Sequence, residues 1–513
     1  MKLRYLISLT VLMAVPHVFA EGTGAQTSPV FPDKIVDAQS YHANFRNQAY
    51  SNPSARFLKQ NYSLTSLRFN AERETASDTK IAPLGKGGYF WGFNAGSQYI
   101  LGKNNLVWGE ASYTNGKTED VVWNETSDFL LLYPYVMADE FGGDLQYEQY
   151  YLNGGWAGKI NRWILGASLR YRAKSEYRTL DPRPNNTVAD LKAEISAGYM
   201  FGKYSLALAL KAGKYKQTNE LRYFNDLGAS KEYHLTGLGN EFVRFSGASN
   251  NVFYKGHNFG ASLDLVPLGK KGISASVEFN SFSFDKVLSD LNKLALNHLV
   301  ENKIQTEITW TGTRRTTGRY GFGLHAYYAK RNGDDNMFGD ATGNVYPQIG
   351  STRMYENSKY GAKISGFYEE TVRGNMPLGI SPFVAYDRWE SSHMVSGNSF
   401  NTGSMTVGTN LQGAYILRRN MFRISAGASC RIATGTDINI PIENVCNPSL
   451  HNMLHHAAEY LDASETNTKI TLHYQLKLPF KGLLFFIETS WNHRFRTGGN
   501  HDNLYTVKTG INL

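Results

Sequence analysis

The stretch GYFWGFNAGSQYILGKNN, residues 88–105, decides the fold. Taken alternately, it puts Tyr89, Trp91, Phe93, Ala95, Ser97, Tyr99 and Leu101 on one face. Phe90, Gly92, Asn94, Gly96, Gln98 and Ile100 fall on the other. A period of two is the signature of a β-strand, and Gly102, Lys103 and Asn104 then read as a hairpin turn. Tyr89 and Trp91 near one end and Tyr99 near the other suit the two interfaces of a bilayer, where amphipathic rings settle.

The same period recurs along most of the chain. In residues 163–173, Trp163, Leu165, Ala167, Leu169, Tyr171 and Ala173 oppose Gly166, Ser168, Arg170 and Arg172. Residues 469–478 repeat it, with Ile470, Leu472, Tyr474, Leu476 and Leu478 against Lys469, Thr471, His473, Gln475 and Lys477. These runs last about ten to fourteen residues, against roughly five or six for an ordinary soluble strand. A strand tilted about 45° needs roughly 9 to 11 residues to cross a bilayer.

Strands are expected at 62–72, 88–101, 105–118, 145–160, 162–174, 190–202, 204–216, 253–267, 272–285, 300–311, 319–332, 358–372, 380–392, 403–417, 420–434, 467–479, 483–496 and 502–513, about eighteen in all. The gaps alternate between tight turns and long loops at 119–144, 217–252, 333–357 and 435–466. Such one-sidedness is typical of outer-membrane barrels. The ending NLYTVKTGINL, residues 503–513, is itself an amphipathic strand.

Composition agrees. Charged residues make up 19% of the 513, below the roughly 25% of soluble proteins, while Gly (49), Tyr (32) and Phe (28) are abundant. Past the N-terminus no apolar run reaches the roughly 18 residues of a spanning helix. The net charge of +9 is mild and dispersed, which argues against nucleic-acid binding. Residues 1–20 read as a secretory leader, with Lys2 and Arg4 before an apolar core and Val18, Phe19 and Ala20 before the cleavage point. Cys430 and Cys446, the only cysteines, are expected as free thiols.

The expected fold is therefore all-β: a transmembrane antiparallel up-and-down β-barrel of about eighteen strands, or about sixteen, over residues 62–513. Residues 21–61 form an N-terminal extension or a hatch in the lumen. The polar strand faces then line the lumen, with Arg170, Arg172, Arg423, Arg431, Lys469, Lys477, Glu278, Glu307 and Glu488 as candidate lining residues.

Three segments stand outside the strand pattern. DAQSYHANFRNQAYSNPSARFLKQNYSL, residues 37–64, suggests a short helix, a break at Asn52 and Pro53, then entry into the barrel. DFLLLYPYV, residues 128–136, is apolar within a loop that should meet water. Such a patch marks a partner contact, an infolded constriction loop or lipid binding, so Phe129, Leu130, Leu131, Leu132, Tyr133 and Tyr135 are the partner-loop candidates. NPSLHNMLHHAAEYLD, residues 447–462, reads as a loop helix with His451 and His455 one turn apart and Glu459 a turn further. Helical His pairs of this spacing can hold zinc, but the Glu that a metalloprotease motif places beside its first His is missing. No catalytic or cofactor motif is present, and GLGNE, residues 237–241, reads as a turn.

The Asn52-Pro53-Ser54 stretch resembles the Asn-Pro-Ala signature of the long-chain fatty-acid transporter superfamily, whose usual barrel has fewer strands. Together, the leader, that break, the Tyr- and Gly-rich hairpins and the TVKTGINL ending resemble an outer-membrane barrel family of Bacteroidota of unknown function. Genes of that family sit beside those of TonB-dependent receptors and surface lipoproteins. The resemblance implies an outer membrane of a Gram-negative bacterium, contact with its lipid, and an accessory role in nutrient uptake with such a receptor or lipoprotein as partner. The sequence thus points to a non-enzymatic channel or uptake component, with a hydrophobic-ligand transporter as the alternative and a surface barrel enzyme as a third.

Overall fold

Period-two alternation folds into a closed, antiparallel, up-and-down barrel. The computed structural model describes residues 37–513 apart from 48, 60–61, 79–80, 226–230, 246–250, 290–291, 315–317, 344, 373–374 and 480–482; the leader read at 1–20 lies outside them. Among the described residues one sheet holds 18 strands. They are β1 (Leu64–Ala76), β2 (Gly87–Leu101), β3 (Asn105–Val121), β4 (Gly143–Ile160), β5 (Trp163–Tyr177) and β6 (Arg183–Phe201). Then come β7 (Tyr204–Arg222), β8 (Val252–Pro267), β9 (Gly272–Leu288), β10 (Leu294–Arg314), β11 (Gly318–Phe338) and β12 (Gln348–Val372). The last six are β13 (Met376–His393), β14 (Ser399–Leu417), β15 (Asn420–Asn439), β16 (Glu465–Lys477), β17 (Leu484–Arg496) and β18 (His501–Asn512). Each pairs with its sequence neighbour, and β1 pairs with β18 in the register Leu67↔Ile511.

The outer face carries the apolar set. Phe93 (56% exposed), Leu169, Ile195 (62%), Leu210, Phe322 and Ile364 all project outward, as a lipid-facing band requires. Rings pair near the ends of the strands, with Trp163 and Tyr199 4.9 Å apart. The opening stretch alternates as read, with Tyr89, Trp91, Phe93, Tyr99 and Leu101 exposed and Gln98 buried in the lumen.

The strands outrun the sequence reading, reaching 25 residues in β12. Residues 333–357, expected as a loop, are mostly β11 and β12 continuing past the membrane. The physical reason is that the apolar half of the alternation ends where lipid ends, while backbone pairing continues into water. The largest cluster of buried apolar side chains lies inside the barrel at the long-loop end. There Trp123, Leu132, Tyr135, Val136 and Met137 meet Tyr215, Tyr254, Phe284 and Leu288 of the wall.

Ile195→Arg, on the lipid face between Leu191 and Tyr199, should weaken folding into lipid vesicles by roughly 2–4 kcal/mol in urea titration, the cost of an Arg at the bilayer midplane.

Candidate functional site

The lumen is crossed at the short-turn end by residues 37–59. Helix α1 (Tyr41–Phe45) opens at Ser40, whose hydroxyl accepts from Ala43 N at 3.1 Å. Its first turn points at Glu369 on β12, which accepts from Tyr41 N (3.0 Å) and His42 N (3.3 Å). A carboxylate at exposed helix N–H groups is favourable. Arg319 of β11 bridges Glu369 (2.7 Å) and Asp37 (2.6 Å). Burial pushes His42 down to about 4, so the neutral ring donates Nε2–H to Lys270 O at 2.5 Å in the β8–β9 turn.

Helix α2 (Pro53–Arg56) docks on the opposite wall, against β4 to β7. Asn52 caps it, accepting from Ala55 N at 2.9 Å, and Pro53 fills the first helical position, where a missing N–H costs nothing. The Asn52 amide also donates to Asp264 Oδ2 at 2.7 Å on β8. Ser54 N donates to Ser196 Oγ at 2.8 Å. At Gly166 an added Cβ would come within 2.7 Å of Pro53, so wall and segment touch there without a side chain between them.

Above α2 lies a cavity of about 580 Å³. Arg56, Lys59, Tyr50 and Asn47 of the segment line it, together with Trp108, Arg170, Lys192, Glu194, Lys211 and Glu278 of the wall. Arg170 meets Glu194 at 3.2 Å and Lys211 meets Glu278 at 2.7 Å.

Infolded loops pack into the long-loop end. Residues 122–139 descend into the barrel, and the short strand Met137–Ala138 pairs with Tyr233–Gly237 of the 223–251 loop. Arg172 holds Asp128 at 2.5 Å, and Arg331 donates to Leu130 O and Tyr133 O at 3.0 and 2.6 Å. Helix α3 (Phe129–Leu132) is part of this loop. Helix α4 (Pro448–Asp462) lies against β15 and buries Leu450 and Ala458 in the same lid. Within the lid Arg178 meets Asp139 at 2.6 Å and Glu125 at 3.5 Å, all three fully buried. Burial raises both Glu125 and Glu232, and the Glu232 and Asp139 charges raise Glu125 further.

The expected lumen residues do face inward, but they are not one site. Arg170 and Glu278 share the cavity, while Arg172 anchors the infolded loop. Arg423 bonds Gln39 of the crossing segment. Arg431 donates to Leu461 O (2.7 Å) and Ala463 O (2.9 Å) at the C-terminal end of α4, where a cation is favoured. Glu488 pairs with Lys508 (2.9 Å) and His473 (3.2 Å). Glu307 stands between Ser276 and His325, and Lys469 between Gly427 and Asn492. Lys477 ends β16.

Of the readings open for the apolar stretch, the infolded loop is the one its packing matches. Leu132 and Tyr135 are fully buried, Phe129, Leu131 and Tyr133 pack against the same core, and Leu130 stays exposed. The wall covers what the sequence placed in water. His451 and His455 do lie on one helix face, ring centroids 4.3 Å apart, with His455 Nε2 3.3 Å from Ile440 O. Among the described residues no three His, Cys, Asp or Glu side chains gather as metal ligands. Both cysteines are free. Sequence reasoning missed Arg56, Lys59, Trp108 and Lys192; for Trp108 and Lys192 the signal was their lumen-facing parity on β3 and β6.

A family model matches residues 53–513, taking in α2 and the whole barrel. The chain belongs to the DUF6850 family, a family of unknown function. No curated protein matches this DUF6850 chain. Among solved structures it is similar to BauA, the ferric preacinetobactin receptor of Acinetobacter baumannii, at 9% identity and a TM-score of 0.40 over 87% of this chain and 80% of that one. A FadL homologue of Pseudomonas aeruginosa is similar at 12% identity and 0.30, over 90% and 93%. The CymD monoaromatic hydrocarbon channel is similar at 10% and 0.31, over 91% and 92%. For a DUF6850 barrel, likenesses of this size concern architecture alone.

The raised Glu125 and Glu232 fix how the lid of this DUF6850 protein should respond to pH. A carboxyl raised on folding contributes stability below its ordinary range and loses it as pH climbs through the raised value. Alkaline titration should therefore expose buried Trp123, seen as a red shift of its emission, and Glu125→Gln should flatten that response.

Proposed function

We propose that this protein is a non-enzymatic outer-membrane transporter for small solutes, in which residues 37–59 form a hatch that must move for passage. The observation carrying this reading is the chemistry of that segment's docking. It is held by polar bonds that water can replace, the Asn52–Asp264, Ser54–Ser196, Glu369 and Lys270 contacts, and its apolar contacts at Tyr50, Ala55, Phe57 and Phe45 are small separate patches rather than one continuous core. A structural plug would gain more from burying apolar area, at about 25 cal/mol per Å².

The hydrophobic-ligand alternative requires the Asn52–Pro53 region inside the lumen, and it is there, with Asn52, Pro53 and Ser54 buried. The cavity beside it is lined by charges and amides, which favours a polar solute over an acyl chain.

A disulfide across the hatch tests the reading. An added Cβ at Gly198 would lie 3.4 Å from Ser54 Oγ, so Ser54→Cys with Gly198→Cys, in a Cys430→Ser, Cys446→Ser background, should lock it. Stepwise conductance in a planar bilayer should be small when oxidised and rise on reduction. Equal conductance in both states, or none in either, would refute gating by the hatch.

A further inference from the structure

The cavity above α2 has more positive charge than its own wall neutralises. Five cations line it, Arg56, Lys59, Arg170, Lys192 and Lys211, against two carboxylates, Glu194 and Glu278. Both carboxylates are engaged by Arg170 and Lys211, and Lys192 has Asp190 at 3.4 Å. That leaves the two hatch cations. Among the described residues neither Arg56 nor Lys59 has a carboxylate within ion-pair distance. Arg56 donates Nε–H to Gln98 Oε1 at 3.3 Å and stacks its guanidinium over Trp108 at 4.5 Å. The carboxylate that attracts it from further off, Glu110, already accepts from Asn94 at 2.9 Å. Lys59 is exposed on the cavity side. Burial, then Arg56 and Arg46, lower it to about 8, which leaves it mostly cationic at neutral pH.

Cations brought together in a confined, low-dielectric space without counter-charge repel one another, and an anion between them relieves that cost. The remaining lining describes the rest of the ligand. Asn47, Asn153, Asn258 and Asn280 offer amides, which donate to and accept from hydroxyls. Tyr151 offers a ring face. The volume of about 580 Å³ lies within the range of roughly 300–1,000 Å³ usual for small-molecule sites.

We propose that the cavity between α2 and the β3–β9 wall binds a hydroxylated organic anion, a sugar-sized molecule bearing a carboxylate or phosphate, with Arg56 and Lys59 of the hatch taking the oxyanion and the wall amides its hydroxyls. This deepens the transporter reading and rests on it for calling the ligand a solute in passage. Because the oxyanion is held by the hatch and the body by the wall, ligand arrival is sensed by the element that must move.

The test is titration of the purified full-length barrel in detergent, by calorimetry and by tryptophan emission, with glucuronate, glucose 6-phosphate, glucose and inorganic phosphate. The two sugar acids should bind, and glucose and inorganic phosphate should each bind at least about tenfold more weakly, the scale of a lost charged hydrogen bond. Arg56→Gln with Lys59→Gln should cost the sugar acids about tenfold, while Lys469→Gln, a lumen cation outside the cavity, should change nothing. Retention of the heat-modifiable folded band on gels establishes that the double variant still forms a barrel. Glucose or inorganic phosphate binding as tightly as the acids, or the folded double variant binding them unchanged, would overturn the proposal. Wild-type titration alone decides it if the variant fails to fold. Sugar-acid binding without redox-dependent conductance would sink the gate and keep the site; gated conductance without such binding would sink the site and keep the gate.

Discussion

Every other feature depends on the pairing of the first strand with the last. In hydrocarbon an unpaired backbone N–H or C=O costs several kcal/mol, so a sheet can cross only if it has no edge. Here Thr65 N donates to Leu513 O at 3.0 Å and Leu513 N returns the bond to Thr65 O at 2.8 Å. That seam turns an open sheet into a wall with an inside. It also fixes side-chain parity around the ring, since a slip of one residue would send Arg170 or Glu278 into lipid.

The enclosed space is then filled by two chemically different devices. At the long-loop end the lid is a true core, with Trp123, Leu132, Tyr135 and Met137 packed on Tyr254 and Phe284 around the buried Arg178, Asp139 and Glu125. Removing Arg178 or Asp139 would leave its 2.6 Å ion-pair partner uncompensated, which is costly. At the short-turn end the crossing segment makes separate apolar contacts, Ala49, Tyr50, Ala55 and Leu58 in one patch, Phe57 beside Leu106 and Trp108, and Phe45 4.6 Å from Phe367, with polar bonds such as Asn52–Asp264 between them.

Barrel architecture was legible because each strand declares its own two faces; residues 88–105 carry enough of the pattern to assign the class. The strand ends were less so, since β11 and β12 lose their apolar partners above the membrane without losing their ladder. The inside was the least legible. Nothing in DFLLLYPYV distinguishes a loop that folds into its own barrel from one that waits for a partner, because burial by the wall and burial by another protein call for the same side chains. Likewise Asn52-Pro53 announces a break and a cap, but its bond to Asp264 spans 212 positions and has no local trace. Long-range polar pairs of this kind hold the crossing segment, and sequence periodicity does not report them.

The crossing segment precedes β1, and its contacts are spread around the ring: Gln98 and Trp108, Gly166 and Ser196, then Asp264 and Lys270, then Glu369 and Arg423. These anchors lie on opposite arcs of the ring, so the segment spans the lumen as a tie between walls that do not pair with each other. When β18 meets β1, the tie must already be inside or be drawn in from the short-turn end. Assembly therefore sets the order of its contacts: those with β2 and β3 are available early, and those with β12 and β15 only when the circumference is nearly complete.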